Sequence, residues 1–325
     1  MKFLFLNTFL FFASFVIIYY RMEIATKFNI LDLPDNKRKI HLNPIPLLGG
    51  IIILFFTIPN LFYLFYTFEI SFKLLVILLI LYSAFFLIGI YDDKYLLSPL
   101  KKTITIIFLL LILLPIDQSL LINKFIFKDI QKVIFLNEGG LFFTVLSIYF
   151  LFNFLNFSDG VNGVAISLCI FWSLVFLVKN NELSYLLIST LISLIFVLFF
   201  NLKNKIFLGN SGISLLSIIF SSFFIINYNM NAQVKCDEIL LLMFIPGIDS
   251  IRVSLQRVYK GQSPLMADNT HLHHLLLNFI NMKYIFLIYV LISALPFLLT
   301  LFLSTIISLI ISFLFYLSIF FTINR

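Results

Sequence analysis

The sequence predicts an all-α, polytopic integral membrane protein with about eleven transmembrane helices. Hydrophobic residues make up 62% of the 325 residues, charged residues make up only 11%, and the mean hydropathy is +1.10. This composition lies far outside that of soluble globular domains. The apolar residues also fall into runs close to the roughly 20 residues that cross a bilayer. We therefore expect one transmembrane domain over residues 1–325.

Eleven apolar runs are long enough, or nearly long enough, to cross a membrane. A cleaved signal peptide is the alternative for the first run, but no small-x-small cleavage pattern follows it, and Arg21 is typical of a stop-transfer flank. The first run is therefore interpreted as a transmembrane helix. The predicted spans are approximately 1–20, 47–66, 73–91, 103–122, 139–156, 164–179, 184–200, 211–227, 237–255, 283–302 and 304–322.

The distribution of basic residues predicts the orientation. When the loops are assigned to alternate sides, fifteen Lys and Arg residues fall on one side and seven on the other. The positive-inside rule then makes the first side cytoplasmic and the N-terminus external. The cysteines, Cys169 and Cys236, are too few and too far apart to indicate a disulfide framework or a metal site.

Every loop with unusual polar chemistry falls on the predicted cytoplasmic side. Because a helix bundle draws the loops of one side together, these segments can form one site at the membrane surface. The chain shows no internal repeat, which weighs against a transporter built of repeated halves. The segments are 32–50, 92–102, 153–163, 203–212 and 249–274.

Segment 153–163 is the most unusual of these loops, with three asparagines, one aspartate and two glycines among eleven residues. An ordinary polar turn is the alternative, but such a turn needs fewer of these residues. Uncompensated polar groups at membrane depth are costly, so the cluster indicates a functional site. The amides of Asn153, Asn156 and Asn162, with the charge of Asp159, suit a nucleotide or a magnesium ion with several waters.

Asp92 and Asp93 end the third apolar run. Adjacent carboxylates repel each other and raise each other's pKa unless a cation lies nearby. Two tasks suit such a pair, namely binding a hard divalent cation or taking a proton from an acidic nucleophile. A solvated turn at the membrane interface is the alternative.

Segment 32–50 contains a basic run with Arg38, followed by His41 and the pair Gly49-Gly50. Contact with anionic lipid explains the basic run. It does not explain His41 or the two glycines. Glycines at a helix N-terminus let backbone amides approach a phosphate, so an anionic substrate is expected here.

The last segment holds His271, His273 and His274, which are three of the four histidines in the chain. A zinc site is the rival interpretation, but the His-Glu-x-x-His pattern and a cysteine partner are missing. Beside Arg252 and Arg257, the histidines instead suggest a clamp for a diphosphate. In segment 203–212, Phe207 either stacks on a base or is one of 43 phenylalanines without a special role.

Together, these segments resemble the polyprenyl-phosphate N-acetylhexosamine-1-phosphate transferases of glycosyltransferase family 4. This family shares a superfamily with the phospho-N-acetylmuramoyl-pentapeptide transferases. The resemblance extends from Asp32 to about Leu276. The motifs that carry it are Asp32-x-Pro34, Arg38-Lys39-x-His41, Pro46-x-x-Gly49-Gly50, Asp92-Asp93, Asn153-x-x-Asn156-x-x-Asp159-Gly160, Phe207-Leu-Gly209 and His271-x-His273-His274.

The resemblance implies a reaction at the cytosolic surface of a bacterial plasma (inner) membrane. The phosphate of undecaprenyl phosphate would attack the β-phosphorus of a UDP-N-acetylhexosamine, releasing UMP and leaving a sugar on a lipid diphosphate. Such phosphoryl transfer depends on positioning and charge neutralisation. The implied cofactor is Mg²⁺, with Mn²⁺ as an alternative, and the implied partners are the two substrates and membrane lipid. No nucleic acid is expected, and a homodimer is left open.

The resemblance also implies a role for each candidate residue. Asp92 and Asp93 would deprotonate or orient the lipid phosphate, and Phe207 would stack on uracil. The implied catalytic residues are Asp92, Asp93, Asp159, His271, His273 and His274. The implied metal ligands are Asn156, Asp159 and Asn210. The implied substrate-binding residues are Arg38, His41, Gly49, Gly50, Asn153, Asn156, Asn162, Phe207, Arg252 and Arg257.

Several positions depart from the family pattern. The family usually carries an aspartate after Gly209, and Asn210 stands there. An amide oxygen can bind magnesium but brings no charge, so weaker metal binding is expected. Asn162 replaces a frequent second aspartate, and Asn269 and Leu275 or Leu276 stand where basic residues often occur.

The alternatives remaining are a catalytically weak relative that binds lipid phosphate, and a secondary transporter for an anionic solute. The resemblance favours the branch that begins O-antigen, enterobacterial common antigen, teichoic acid or capsule, and it disfavours the branch that adds the muramoyl-pentapeptide.

Overall fold

The computed structural model describes residues 1–34, 43–130, 132–179, 183–230, 233–264 and 269–323. Short antiparallel strand pairs, β1 (Leu31–Asp32) with β2 (Ile45–Pro46) and β3 (Lys124–Ile126) with β4 (Val133–Phe135), lie between the helices. The helices are α1 (Lys2–Tyr19), α2 (Arg21–Phe28), α3 (Gly49–Tyr66), α4 (Phe72–Tyr95), α5 (Pro99–Leu113), α6 (Gly140–Ser158), α7 (Val164–Val178), α8 (Ser184–Asn201), α9 (Gly209–Met230), α10 (Cys236–Leu242), α11 (Phe244–Tyr259), α12 (Leu272–Leu276), α13 (Met282–Leu299) and α14 (Thr305–Ile323).

The prediction of an all-α, polytopic membrane protein is confirmed. Within the described ranges, nine helical segments are long and apolar enough to cross a bilayer, and they correspond to α1, α3, α4, α5, α6, α8, α9, α13 and α14. Helix α7 is apolar but has only 15 residues. Each of the eleven predicted runs has a helical counterpart, and one of them, residues 237–255, is divided between α10 and α11.

A proline lies three residues after the division between α10 and α11. Pro246 has no backbone N–H, so in a continuous helix the carbonyl of Leu242 would lose its partner. The chain breaks at Met243, between the two helices, and the indole N–H of Trp172 donates to the Leu242 carbonyl at 3.2 Å. The break separates the short α10 from α11, which extends to the end of the bundle where α13 begins.

Helix α9 lies at the centre of the bundle, and nearly all of its residues are buried against its neighbours. Its N-terminus approaches α4 so closely that a Cβ on Gly89 would lie 2.4 Å from the carbonyl oxygen of Asn210. A side chain at this position would therefore push the two helices apart. Further along, the hydroxyls of Tyr82 and Ser222 hydrogen-bond at 2.7 Å, which ties the same helices together inside the apolar core.

A small backbone network holds the loop before α9 against the start of α3. The amide of Phe207 donates to the Pro46 carbonyl at 2.8 Å, which extends the β1–β2 pair by a third segment. The amides of Gly49 and Gly50 donate to the carbonyls of Phe207 (3.0 Å) and Leu208 (3.2 Å). This network brings Asp32 of β1 and Phe207 to the same end of the bundle.

At the opposite end, charged residues fasten the β3–β4 loop to α10 and α14. The Lys128 ammonium lies 3.1 Å from the carboxylate of buried Glu238. The hydroxyl of Thr305 lies 2.8 Å from a carboxylate oxygen of Asp129 and 2.8 Å from one of Asp237. The first residue of α14 is therefore fixed by two acidic side chains.

Candidate active site

A cavity of about 1210 Å³ opens at the end of the bundle where α5, α7, α9 and α13 begin. All five polar segments singled out in the sequence contribute to its wall. The helix bundle therefore gathers them into one site. The residues with polar side chains that line the cavity are Asp32, Asp92, Asp93, Lys102, Thr103, Asn153, Asn156, Asp159, Asn162, Asn201, Asn204, Asn210, Arg257, Asn269, His271, His274 and Asn278.

Asp93 caps the N-terminus of α9 from the neighbouring helix α4. Its carboxylate accepts the backbone amides of Asn210 (2.7 Å) and Ser211 (3.0 Å). The first amides of a helix have no partner within the helix, and the helix dipole favours a negative charge there. Besides the catalytic role predicted for it, Asp93 therefore has a positioning contact that fixes Asn210 at the cavity edge.

Asp92 forms a buried ion pair with Lys102 of α5. The Lys102 ammonium lies 2.8 Å from one carboxylate oxygen, and the Leu97 amide donates to the other at 2.7 Å. The ammonium also lies 3.4 Å from Oδ1 of Asn210. Both members of the pair line the cavity, so Lys102 places a positive charge where an anionic ligand would bind.

Sequence reasoning missed Lys102, which it counted only among the basic loop residues. A signal was present, because Lys102 lies in the first turn of α5, where the helix dipole disfavours a cation. A lysine in that unfavourable position, ten residues after an acidic pair, indicates a specific partner.

Asp159 follows α6 and faces the cavity. It accepts no hydrogen bond from any residue in the described ranges. Asp159 is exposed to the open cavity, yet desolvation by the surrounding walls raises its pKa well above the usual range, and the charges of Asp93 and Asp32 raise that pKa further. A cation bound beside Asp159 would relieve this repulsion.

Asn156 and Asn210 line the same cavity as Asp159 and offer amide oxygens. Among the residues that the structure describes, no three His, Cys, Asp or Glu side chains are grouped to hold a metal ion. Mg²⁺ usually takes only one or two protein carboxylates and completes its shell with water and substrate phosphate. The three residues fit such an ion, with Asp159 as the charged ligand, and their oxygen atoms do not suit zinc.

An amide-lined wall adjoins this acidic region. The Nδ2 of Asn162 donates to Oδ1 of Asn204 at 2.6 Å and to the Asn201 carbonyl at 3.3 Å. The Oδ1 of Asn201, a residue only 4% exposed, has no hydrogen-bond donor in the described part of the chain. Leaving a buried acceptor unpaired costs roughly 1–3 kcal/mol, so this oxygen lowers the stability of the wall beside the cavity. Phe207 and Asn153 also line this cavity. The amide N–H of Asn153 donates to the Tyr149 carbonyl of its own helix.

The structure corrects the role predicted for Gly49 and Gly50. Neither residue lines the cavity, and their amides already donate to the carbonyls of Phe207 and Leu208. They are therefore unavailable to a phosphate and serve close backbone packing. Arg38 and His41, which were predicted to bind substrate, lie outside the described residues.

The three histidines of the last segment differ in environment. His271 and His274 line the cavity, whereas His273 does not and is only 1% exposed. Burial lowers the pKa of His273 well below its usual range, and the neighbouring His274 and His271 lower it further. His273 was predicted to contact substrate. The structure instead packs it against His274, with 4.4 Å between the two ring centres. A Cβ on Gly160 would lie 2.3 Å from Nε2 of His274, so glycine is needed for the α6 turn to approach these rings.

Arg252 and Arg257 lie on α11, and only Arg257 lines the cavity. Arg252 donates to Asp249 (2.7 Å), to the Thr270 carbonyl (2.7 Å) and to the Tyr316 hydroxyl (2.7 Å). Arg252 was predicted to bind substrate. These bonds instead use its guanidinium to hold segment 249–274, which contains the three histidines. Arg257 donates to the Pro264 carbonyl at 2.7 Å.

The fold and the cavity define a polytopic membrane protein with an acidic, basic and amide-lined site at one end of its helix bundle. This arrangement suits an enzyme that acts where a membrane-embedded substrate meets a soluble one.

Comparison with known proteins supports the family that the sequence motifs resemble. Residues 75–228 match the family model described as glycosyl transferase family 4. The chain is 25% identical over 290 residues to a protein of Escherichia coli (strain K12). This alignment covers 85% of the chain and 74% of the relative. It is 28% identical over 287 residues to a protein of Pasteurella multocida (strain Pm70). This alignment covers 82% of the chain and 76% of the relative. Both relatives are named undecaprenyl-phosphate alpha-N-acetylglucosaminyl 1-phosphate transferase.

The match to glycosyl transferase family 4 covers residues 75–228, and together with the named relatives it supports a phosphotransferase enzyme.

Proposed function

We propose that this protein transfers an N-acetylhexosamine 1-phosphate from a UDP-sugar to undecaprenyl phosphate and releases UMP. The observation that carries the proposal is the single cavity that combines acidic, basic and amide groups at one end of a transmembrane bundle. The names of the relatives support a lipid phosphate acceptor and an N-acetylglucosaminyl donor. The product would begin a lipid-linked cell-envelope polysaccharide, at the cytoplasmic side of the inner membrane.

The amide wall suits the nucleotide. The side chains of Asn162 and Asn204 line the cavity and offer amide donors and acceptors to a uracil ring. Phe207 in the same cavity provides an aromatic surface for stacking. Together these contacts would hold the uridine on one side of the cavity.

The charged side chains suit the diphosphate. The ammonium of Lys102 and the guanidinium of Arg257 would neutralise the negative charge that shifts during phosphoryl transfer. Asp159, Asn156 and Asn210 would hold Mg²⁺ at the donor. The ion, when bound, would polarise the phosphoryl group and neutralise its charge.

The acceptor would approach along the apolar part of the cavity wall. Leu96, Leu97, Pro99 and Phe152 line this part and lie next to Lys102 and Asp92. An oxygen of the lipid phosphate would form a bond to the β-phosphorus, and the bond from that phosphorus to the α–β bridging oxygen would break. The Asp92 carboxylate would orient Lys102 and the attacking phosphate, and UMP would leave with the bridging oxygen.

The test is UMP release by the purified protein in detergent, given undecaprenyl phosphate, Mg²⁺ and each of several UDP-N-acetylhexosamines. We expect UMP release that requires the lipid and the metal, and the active donor identifies the amino sugar. If no donor yields lipid-dependent UMP, the transferase proposal is wrong. Lipid phosphate binding without turnover would then favour a non-catalytic relative.

The neutral side chain at Asn210 makes a separate prediction. Replacing Asn210 by aspartate adds a carboxylate beside the proposed ion and a second negative partner for Lys102. We expect the Mg²⁺ concentration for half-maximal rate to fall roughly 10-fold, because Mg²⁺ prefers charged oxygen ligands. An unchanged or higher requirement would contradict a metal contact at this position. Asn278→Asp, which adds a charge elsewhere in the cavity wall, is the matched control.

A further inference from the structure

Asp249, His271 and Arg257 form a continuous chain of hydrogen bonds that ends at the cavity. One carboxylate oxygen of Asp249 lies 2.9 Å from Nδ1 of His271. On the other side of the ring, Nε2 lies 3.3 Å from the Arg257 guanidinium. All three residues are buried, and His271 and Arg257 line the cavity.

The hydrogen bonds on the two sides of His271 specify the same tautomer of its ring. An arginine guanidinium can only donate, so Nε2 must accept. The carboxylate of Asp249 accepts when ionised, so Nδ1 must carry the proton. Burial alone would raise the pKa of Asp249, but the hydrogen bond with His271 and the charge of Arg252 lower it to about 2, which keeps the carboxylate ionised.

The second oxygen of Asp249 is held by one residue of another helix and one residue of its own helix. It accepts the Tyr316 hydroxyl of α14 at 2.9 Å and the Arg252 guanidinium at 2.7 Å. The backbone amide of Leu272 donates to the first oxygen at 3.1 Å. Asp249 therefore has four donors around its carboxylate, and its orientation toward His271 is fixed.

We propose that Asp249 is a positioning residue for the transfer reaction. It fixes His271 as the Nδ1–H tautomer, and the unprotonated Nε2 of His271 then holds the Arg257 guanidinium toward the donor diphosphate. The Tyr316 hydroxyl secures Asp249 from the last helix. The catalytic consequence rests on the transferase function proposed above, whereas the tautomer is a property of the protein without substrate.

The tautomer can be observed directly by ¹⁵N NMR of protein labelled only at histidine, because the chain has four histidines. His271→Gln assigns the resonance by its disappearance. We expect the unmodified protein to show a protonated Nδ1 and an unprotonated Nε2 at neutral pH. In Asp249→Asn, the amide can donate to Nδ1, so the proton should move to Nε2. A protonated Nε2 in the unmodified protein, or a tautomer unchanged in Asp249→Asn, would overturn the proposal whatever the activity.

The kinetic test uses two changes of different severity. Asp249→Asn should lower kcat/KM by at least about 100-fold, because Nε2–H and the guanidinium would then be two opposed donors. Tyr316→Phe leaves the oxygen that faces His271 untouched, so it should keep the tautomer and lower kcat/KM by only about 10-fold. Tyr19→Phe, on an exposed face of α1, is the control for loss of a tyrosine hydroxyl.

A double-mutant cycle separates positioning from general damage. If Asp249 acts through Arg257, adding Asp249→Asn to Arg257→Gln should lower kcat/KM by less than about threefold more than Arg257→Gln alone. Lys73→Gln, at an exposed position at the start of α4, should combine additively with Asp249→Asn. If the losses are additive for Arg257→Gln as well as for Lys73→Gln, Asp249 does not act through Arg257. If no variant, including the unmodified protein, releases UMP, the transferase function fails, and the NMR result still decides the tautomer.

Discussion

Replacing Lys102 by methionine is expected to lower kcat/KM for UMP release at least about 100-fold. Methionine keeps similar length but removes the ammonium, which leaves the buried Asp92 carboxylate without its cation. It also removes a positive charge from the cavity wall that would face the transferred phosphate in the proposed reaction, and such electrostatic groups typically contribute factors of roughly 10²–10³. Initial rates at several lipid concentrations would show whether the loss lies in kcat or in KM.

Lys101 provides the matched control, because it is the preceding residue of α5 and is exposed. Lys101→Met should keep the rate within about threefold of the unmodified protein. Lys102→Arg retains the charge and should recover part of the lost rate. If Lys102→Met is as active as Lys101→Met, the ion pair has no part in the reaction.

Asp93→Asn is expected to lower both stability and activity. The asparagine amide can accept only one of the two backbone N–H groups at the start of α9 and would present its own N–H to the other. A lost cap and an unpaired buried amide together should lower the free energy of unfolding by about 2–3 kcal/mol. Because the same amides position Asn210, UMP release should also fall by at least about 10-fold. Thermal unfolding in detergent and initial rates measure the two effects.

Asp117→Asn separates the two effects, since Asp117 accepts the amide of Ser119 at 3.0 Å at the opposite end of the bundle. This variant should lose stability but keep its rate at a temperature well below unfolding. Equal activity losses in both aspartate variants would mean that the rate reports stability alone, which contradicts a positioning role for Asp93.

The class of fold could be predicted from the sequence because membrane spans depend on local composition. Apolar runs of the right length give the helices, and alternation along the chain gives one end for the five polar segments. The division of residues 237–255 was missed, because a run containing Pro246 still reads as a continuous span. The break depends on a distant partner, the Trp172 indole that satisfies the freed carbonyl.

The site could be predicted in part for the same reason. Asp159 and Asn156 were identified because polar side chains at the end of an apolar run have no local purpose. Lys102 and Asp249 were missed because their roles depend on partners in other helices. Gly49 and Gly50 were misassigned because a glycine at a helix start equally suits a phosphate and a neighbouring backbone, and only the packing distinguishes the two.

Helix α14 combines two kinds of surface with different freedom to change. Ile306, Ile310 and Phe313 are exposed, and any lipid-compatible side chain would serve there. Tyr316 on the same helix is only 2% exposed and donates to Asp249, beside the histidine segment. A shortened chain that keeps the central bundle but lacks this helix would therefore retain most of its apolar core and still lose a support of its active site. The last helix should be left intact, and fusion partners should be joined through a flexible linker after it.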